Sequence, residues 1–227
     1  MSLVLFDLDG TLVDTAPLVA DLLCEVAASS DRTAVLERVR AVLANPAEEP
    51  LLDQLAALVD ESDRSDESPA GSVREALIEG IAERAATGIR LYPGVYRLLL
   101  RLKRQGETAA IFSRWPEPLT LEILEDTGLR GYLDPVVAVE TSEELSPLVR
   151  ALTLLDEWDR DRGGDRVAPL WFVGDGKADL EAAAGAADGE LNRSVRTVWV
   201  PHGYGASAPE GAAEELDRFG RLARLIG

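Results

Sequence analysis

The stretch LVLFDLDG, Leu3–Gly10, decides how this chain is read. Leu3–Leu8 is a short apolar run of the kind a strand shows when both its faces are buried in a parallel sheet. It carries Asp7 into Asp9, and an i, i+2 pair on extended backbone points to one side. Two carboxylates therefore leave the end of a buried strand together, and Gly10 permits a close turn behind them. The rest of the chain has to account for that pair.

From Ala16 to about Ala86 the pattern is helical and poor in strands, as in PLVADLLCEVAA and SVREALIEGIAERAA. Pro46, Pro50 and the acidic stretch Asp60–Ser72 punctuate it, the last read as a solvated loop between two helices. After Pro93-Gly94 helix and strand alternate. Helices are expected over Val95–Gln105, Pro118–Asp126, Pro147–Asp159 and from GDGKAD to about Ala187. Strands are expected at Thr108–Ser113, Val136–Val139, Leu170–Val173 and Val195–Val200, and a terminal helix over Glu210–Leu225. Strands alternating with helices of this length predict an α/β fold, a Rossmann-like parallel sheet covered on both faces. The helical block interrupts it, which gives a core of residues 1–15 and 87–227 and a small α-helical insertion of residues 16–86. Ligands of such sheets bind beyond the strand C-termini.

Composition narrows the partners. The net charge is −18, so a phosphate backbone is repelled and nucleic acid is not expected. No run approaches a membrane span, and MSLVLFDLDG lacks the basic start of a signal peptide, so a cytoplasmic protein is expected. Cys24 is the single cysteine, which excludes an internal disulfide; with His202 the only histidine, a Cys/His zinc site is excluded too. Of 23 basic residues only Lys103 and Lys177 are lysines. Acidity with arginine far above lysine points to a halophile's cytoplasm.

Three apolar runs end in polar groups suited to one site: Asp7 with Asp9, then Ser113, then Asp175 with Asp179. Converging carboxylates raise one another's pKa unless a positive charge sits among them. A hard divalent cation with oxygen ligands, magnesium above all, meets that need. Exposed amides at the Gly10 turn and the Ser113 hydroxyl would hold anionic oxygens. The set suits phosphoryl transfer: a carboxylate nucleophile, a neutralising metal, and donors on the equatorial oxygens.

With these residues in view, FDLDGTLVDT resembles the Asp-x-Asp-x-Thr first motif of the haloacid dehalogenase (HAD) superfamily. IFSRWP is similar to its second motif and FVGDGKADLEAA to its fourth, while LYPGVYRLLLRLKRQG resembles the helix leading out of the cap in phosphoglycolate-phosphatase-like members. The resemblance implies the HAD fold with a helical cap, and a Mg²⁺-dependent phosphatase acting on a small phosphorylated metabolite. It implies Asp7 as the nucleophile that forms an aspartyl-phosphate, and Asp9 as general acid/base. Magnesium would be held by Asp7, by the backbone carbonyl of Asp9 and by Asp175, with Asp179 in support. Ser113 would bind the phosphoryl group, and Gly10 and Thr11 would belong to the same binding turn, Thr11 positioning Asp9.

One element of the pattern is missing. Relatives carry a third-motif lysine before Pro147, where this chain has Ser146, and no lysine lies between Lys103 and Lys177. Lys177 is the first candidate replacement, its bland alternative being a surface lysine that relieves carboxylate repulsion. Arg150 is the second candidate and Arg114 the third. Trp115 would line the pocket or simply pack. Asp9 argues against a dehalogenase, and the lack of lysine across residues 14–91 excludes a Schiff-base hydrolase. A phosphomutase on the same core, or a degenerate member that only binds a phosphorylated ligand, stands as the alternative. Monomer and homodimer are both open.

Overall fold

The computed structural model describes residues 2–27, 31–45, 49–59, 70–141, 146–164, 168–186, 191, 193–205, 214–215 and 219–226. Its centre is a six-stranded, wholly parallel sheet in the order β5-β4-β1-β6-β7-β8. The strands are β1 Leu3–Asp7, β4 Thr108–Ser113, β5 Val136–Ala138, β6 Leu170–Gly174, β7 Val195–Trp199 and β8 Glu214–Glu215. β1 lies in the middle, in register with β4 (Asp7 opposite Phe112) and β6 (Phe6 opposite Val173).

The period of two divides the buried residues between two layers. Val4, Phe6, Ile111, Trp171 and Val198 face one core; Leu3, Leu5, Ala110, Phe112 and Phe172 face the other. Helices α5 Val95–Gln105, α6 Glu117–Asp126 and α9 Phe219–Leu225 contribute to the first. Helices α7 Pro147–Asp161 and α8 Lys177–Ala186 contribute to the second. In α5 the buried residues Val95, Leu98, Leu99 and Leu102 follow the spacing of one helical face. Gly106 closes that helix in the left-handed conformation, its N–H donating to the carbonyls of Leu102 and Lys103. On the second face Arg193 forms a buried ion pair with Asp159 at 2.6 Å and lies 3.8 Å from Asp156.

The chain leaves and rejoins this core through a two-residue antiparallel ladder, β2 Val13–Asp14 against β3 Arg90–Leu91. Sequence patterning missed it, because two residues carry no periodicity. Between them lie α1 Ala16–Val26, α2 Arg32–Ala44, α3 Leu51–Ala56 and α4 Ala70–Gly88. Gly80 and Gly88 sit eight residues apart on one face of α4, where a Cβ would drive into Leu22 and Leu18 of α1. Their missing side chains let the two helices approach closely. Arg32, Arg74 and Arg84 pair with Asp21, Asp53 and Glu25, so these arginines are spent on partly exposed helix faces.

Two expectations need correction. The terminal helix does not begin at Glu210: Glu214–Glu215 form β8, whose backbone continues the sheet from Val198 and Trp199, and helix starts only at Phe219. Residues 70–72 of the acidic stretch belong to α4, while residues 60–69 lie outside the described residues. Among the described residues no helix is long and apolar enough to cross a membrane.

Candidate active site

Asp7 ends β1, Ser113 ends β4 and Asp175 follows β6, so three neighbouring strands deliver polar groups to one edge of the sheet. Asp9, Asp175 and Asp179 are buried, and Ser113 is fully so. Burial pushes the Asp7 carboxyl well above the usual carboxylate range, and the charges of Asp175, Asp179 and Asp9 push it further. Burial likewise lifts Asp9 and Asp179 to about 6, and raises Asp175.

Each carboxylate has its own support. Thr15 Oγ1 donates to Asp9 Oδ1, and the indole Nε1 of Trp115 donates to Asp9 Oδ2 at 2.8 Å. Thr11, expected to position Asp9, instead donates to Asp175 Oδ1 at 3.2 Å. Thr15, four residues on and just past β2, carries the hydroxyl that reaches Asp9. Asp175 Oδ2 accepts the backbone N–H groups of Tyr204 (2.6 Å) and Gly205 (3.1 Å). Gly10, at φ +76°, comes so close that a Cβ would lie 2.5 Å from Asp175 Oδ2, and Cβ atoms at Gly203 and Gly205 would also collide with this aspartate. The Gly10 N–H donates to Val13 O at 2.9 Å, so the turn consumes the amide expected to hold an anion.

The loop after β7 completes the frame. Tyr204 Oη donates to Asp14 Oδ1 at 2.9 Å and accepts from the Ala16 N–H at 3.1 Å. His202 Nε2 lies 3.0 Å from the Thr11 carbonyl, its ring between Tyr92 and Phe219. Thus the sole histidine is structural. Ser113 Oγ accepts the Trp115 N–H at 3.2 Å and lies 3.1 Å from Thr120 Oγ1.

The candidate cations separate sharply. Lys177 opens α8 with a side chain 52% exposed, 3.6 Å from Glu181 one turn on. It lines a cavity of about 430 Å³ with Glu37, Arg40 and Asn45 of the insertion and Tyr204 of the core. Arg150 is exposed on α7, and Ser146 is the N-cap of that helix, accepting the Val149 N–H at 3.3 Å. Arg114 alone of the three is buried among the carboxylates: its charge pulls Asp7, Asp9 and Asp179 downward. Its Nη2 donates to the carbonyls of Val42 (3.1 Å) and Leu43 (2.7 Å) at the end of α2.

Among the described residues no three Asp, Glu, His or Cys side chains form a ready metal cage. Magnesium does not require one, since it keeps several waters and takes one or two carboxylates. Hard oxygen donors whose crowded charges raise one another's pKa fit such an ion. Thr15 and Tyr204 escaped sequence reading, and Trp115, expected to line the pocket or simply pack, proves to hold Asp9. The only signals were an aromatic next to Ser113 and an aromatic flanked by Gly203 and Gly205.

Comparison with known proteins agrees with this geometry. The family model described as haloacid dehalogenase-like hydrolase matches residues 1–187. A phosphoglycolate phosphatase of Pseudomonas syringae pv. tomato is 30% identical over 226 residues, covering 97% of this chain and 78% of that protein. One of Mesorhizobium japonicum is 31% identical over 213 residues, covering 89% and 83%. Among solved structures, a predicted phosphoglycolate phosphatase from Haemophilus somnus superposes with a TM-score of 0.78 at 21% identity, over 100% of this chain and 98% of that one. A putative β-phosphoglucomutase from Thermotoga maritima superposes with a TM-score of 0.68 at 20% identity, over 100% and 98%. At those identities the structures speak for the fold alone; with the family match and the sequence relatives, the chain belongs to the haloacid dehalogenase-like hydrolase family and is an enzyme of the hydrolase class.

Proposed function

We propose that this hydrolase is a Mg²⁺-dependent phosphatase, cleaving the phosphate ester of a small metabolite, phosphoglycolate or a sugar phosphate, through an aspartyl-phosphate on Asp7. The observation that carries the reading is the Asp7–Asp9 pair at the end of the central strand, with Asp9 oriented from both sides by Thr15 and Trp115. Asp7 attacks phosphorus as the P–O bond to the leaving group breaks, and Asp9 gives that oxygen its proton. A water then attacks the aspartyl-phosphate, Asp9 takes the water's proton, and phosphate leaves. A carboxyl poised at about 6 can hold and release a proton near neutral pH. Ser113, a hydroxyl that already accepts from Trp115, keeps its own proton for a phosphoryl oxygen. Asp7, with Asp175 and Asp179 in support, would hold a magnesium ion, which would supply charge neutralisation for the transferring group.

Helices α1–α4 act as the cap over this edge and exclude water from it. The cavity lined by Arg40 and Lys177 presents two cations to a second anionic group on the substrate, such as a carboxylate. The names of the sequence relatives favour the same substrate class.

The test is hydrolysis of p-nitrophenyl phosphate with and without Mg²⁺, at low and high salt, by the wild type and Asp7→Asn. Metal-dependent turnover that Asp7→Asn abolishes supports the reading; no metal-dependent turnover at either salt overturns it. A panel of phosphorylated metabolites, including a hexose 1-phosphate with mass balance, then identifies the substrate and separates hydrolysis from mutase transfer.

A further inference from the structure

Arg114 is more than nine-tenths buried, and among the described residues its Nη1 has no hydrogen-bond partner. A buried, unpaired guanidinium nitrogen is costly. The same side chain is satisfied on its other arm, where Nη2 holds the last carbonyls of α2, groups that carry the negative end of that helix. It follows Ser113 at the end of β4, beside the end of β1 that carries Asp7, so it stands at the carboxylate cluster, where its charge acts on Asp7, Asp9 and Asp179. A phosphoryl group entering that cluster brings further negative charge to a place already crowded with it.

Resting on the phosphatase reading, we propose that Arg114 binds the transferring phosphoryl group through Nη1, and that its grip on the Val42 and Leu43 carbonyls links this binding to the docking of α2. Two properties of arginine make this possible. The guanidinium is a rigid fork, so fixing Nη2 on α2 fixes the direction in which Nη1 points. It is also permanently charged, so its attraction for the anion does not fade with pH. Neither Lys177, paired with Glu181 in solvent, nor the exposed Arg150 offers a buried donor. The linkage is reciprocal: an anion on Nη1 holds the guanidinium in place for α2, and a docked α2 aims Nη1 at the anion.

The experiment measures orthovanadate binding with Mg²⁺ by calorimetry for wild type, Arg114→Ala, Arg114→Lys and Arg150→Met, alongside p-nitrophenyl phosphate kinetics and thermal melting. Loss of one such donor costs ~100-fold in turnover. Arg114→Ala is expected to lose vanadate affinity and kcat by about that factor, with partial recovery in added guanidinium. Arg114→Lys is expected to keep the fold and recover part of the affinity. Arg150→Met, at an exposed position on α7, is expected to bind vanadate as the wild type does. Arg114→Ala or Arg114→Lys binding vanadate like the wild type overturns the inference, as does a loss that follows Arg150 instead. If wild type shows no metal-dependent turnover, it is the phosphatase reading that fails; if wild type turns over and Arg114 variants match it, only this inference does.

Discussion

The indole nitrogen of Trp115 donates to Asp9 Oδ2 at 2.8 Å, while Thr15 holds the other oxygen. Both bonds favour the ionised carboxylate and oppose the burial that lifts Asp9 to about 6. Trp115→Phe keeps an aromatic in the core and removes one donor. The expected outcome is a kcat roughly 10-fold lower and an Asp9-dependent limb of the pH–rate profile moved to higher pH. A profile that coincides with the wild type's would show that the indole only packs.

Stability without metal should depend on pH in a defined direction. Asp9 and Asp179 stand at about 6, above the ordinary value of 3.8 they take in the unfolded chain. Such raised groups contribute stability that is fully present below the unfolded value and is lost as pH rises through the folded one. Metal-free protein should therefore melt lower at about pH 7.5 than at about pH 5. Mg²⁺ should raise the melting temperature more at the higher pH, and EDTA should reverse it. A melting temperature independent of both would contradict the account of the cluster.

Gly203→Ala places a Cβ against the Asp175 carboxylate. The expected result is a weakened response to Mg²⁺ and a loss of stability of about 1–3 kcal/mol, read from the Mg²⁺ activation curve and urea melts.

Far from the site, Asp159→Ala leaves Arg193 without its 2.6 Å partner in a buried setting. A loss of about 3–5 kcal/mol is expected, with KM and the Mg²⁺ requirement unchanged in the protein that remains folded.

A chain of net charge −18 repels itself, and added salt screens that repulsion. Its melting temperature is therefore expected to climb as KCl is raised to molar concentration, and one that stays flat or falls counts against that screening.

The sequence was most legible where one pattern controls structure. The apolar runs ending at Asp7, Ser113 and Gly174 give the buried strands, and α5 follows from its spacing of Val95, Leu98, Leu99 and Leu102 between two glycines. The carboxylates were legible for the same reason, since strand ends fix where they emerge. What stayed hidden depends on partners remote in the chain. Tyr204 supports Asp175 from 29 residues away, and Arg114 finds carbonyls of α2 that lie 71 and 72 residues earlier. Lys177 drew notice by being scarce, yet scarcity says nothing about direction. Ser146 read as a missing cation, and its hydroxyl turns out to cap α7.

The ladder of Val13–Asp14 with Arg90–Leu91 has a consequence for how this enzyme can change. Both ends of the inserted helices are anchored side by side, so the entropy of closing the loop is met locally and grows only slowly with the length between. Covalently the sheet meets α1–α4 as one pair of adjacent strands, whatever they carry. With α1–α4 read as the proposed cap, the insertion is a cassette: away from the α2 end that Arg114 holds, residues can be added, removed or exchanged there, and new substrates tried, without moving the strand ends that carry Asp7, Ser113 and Asp175.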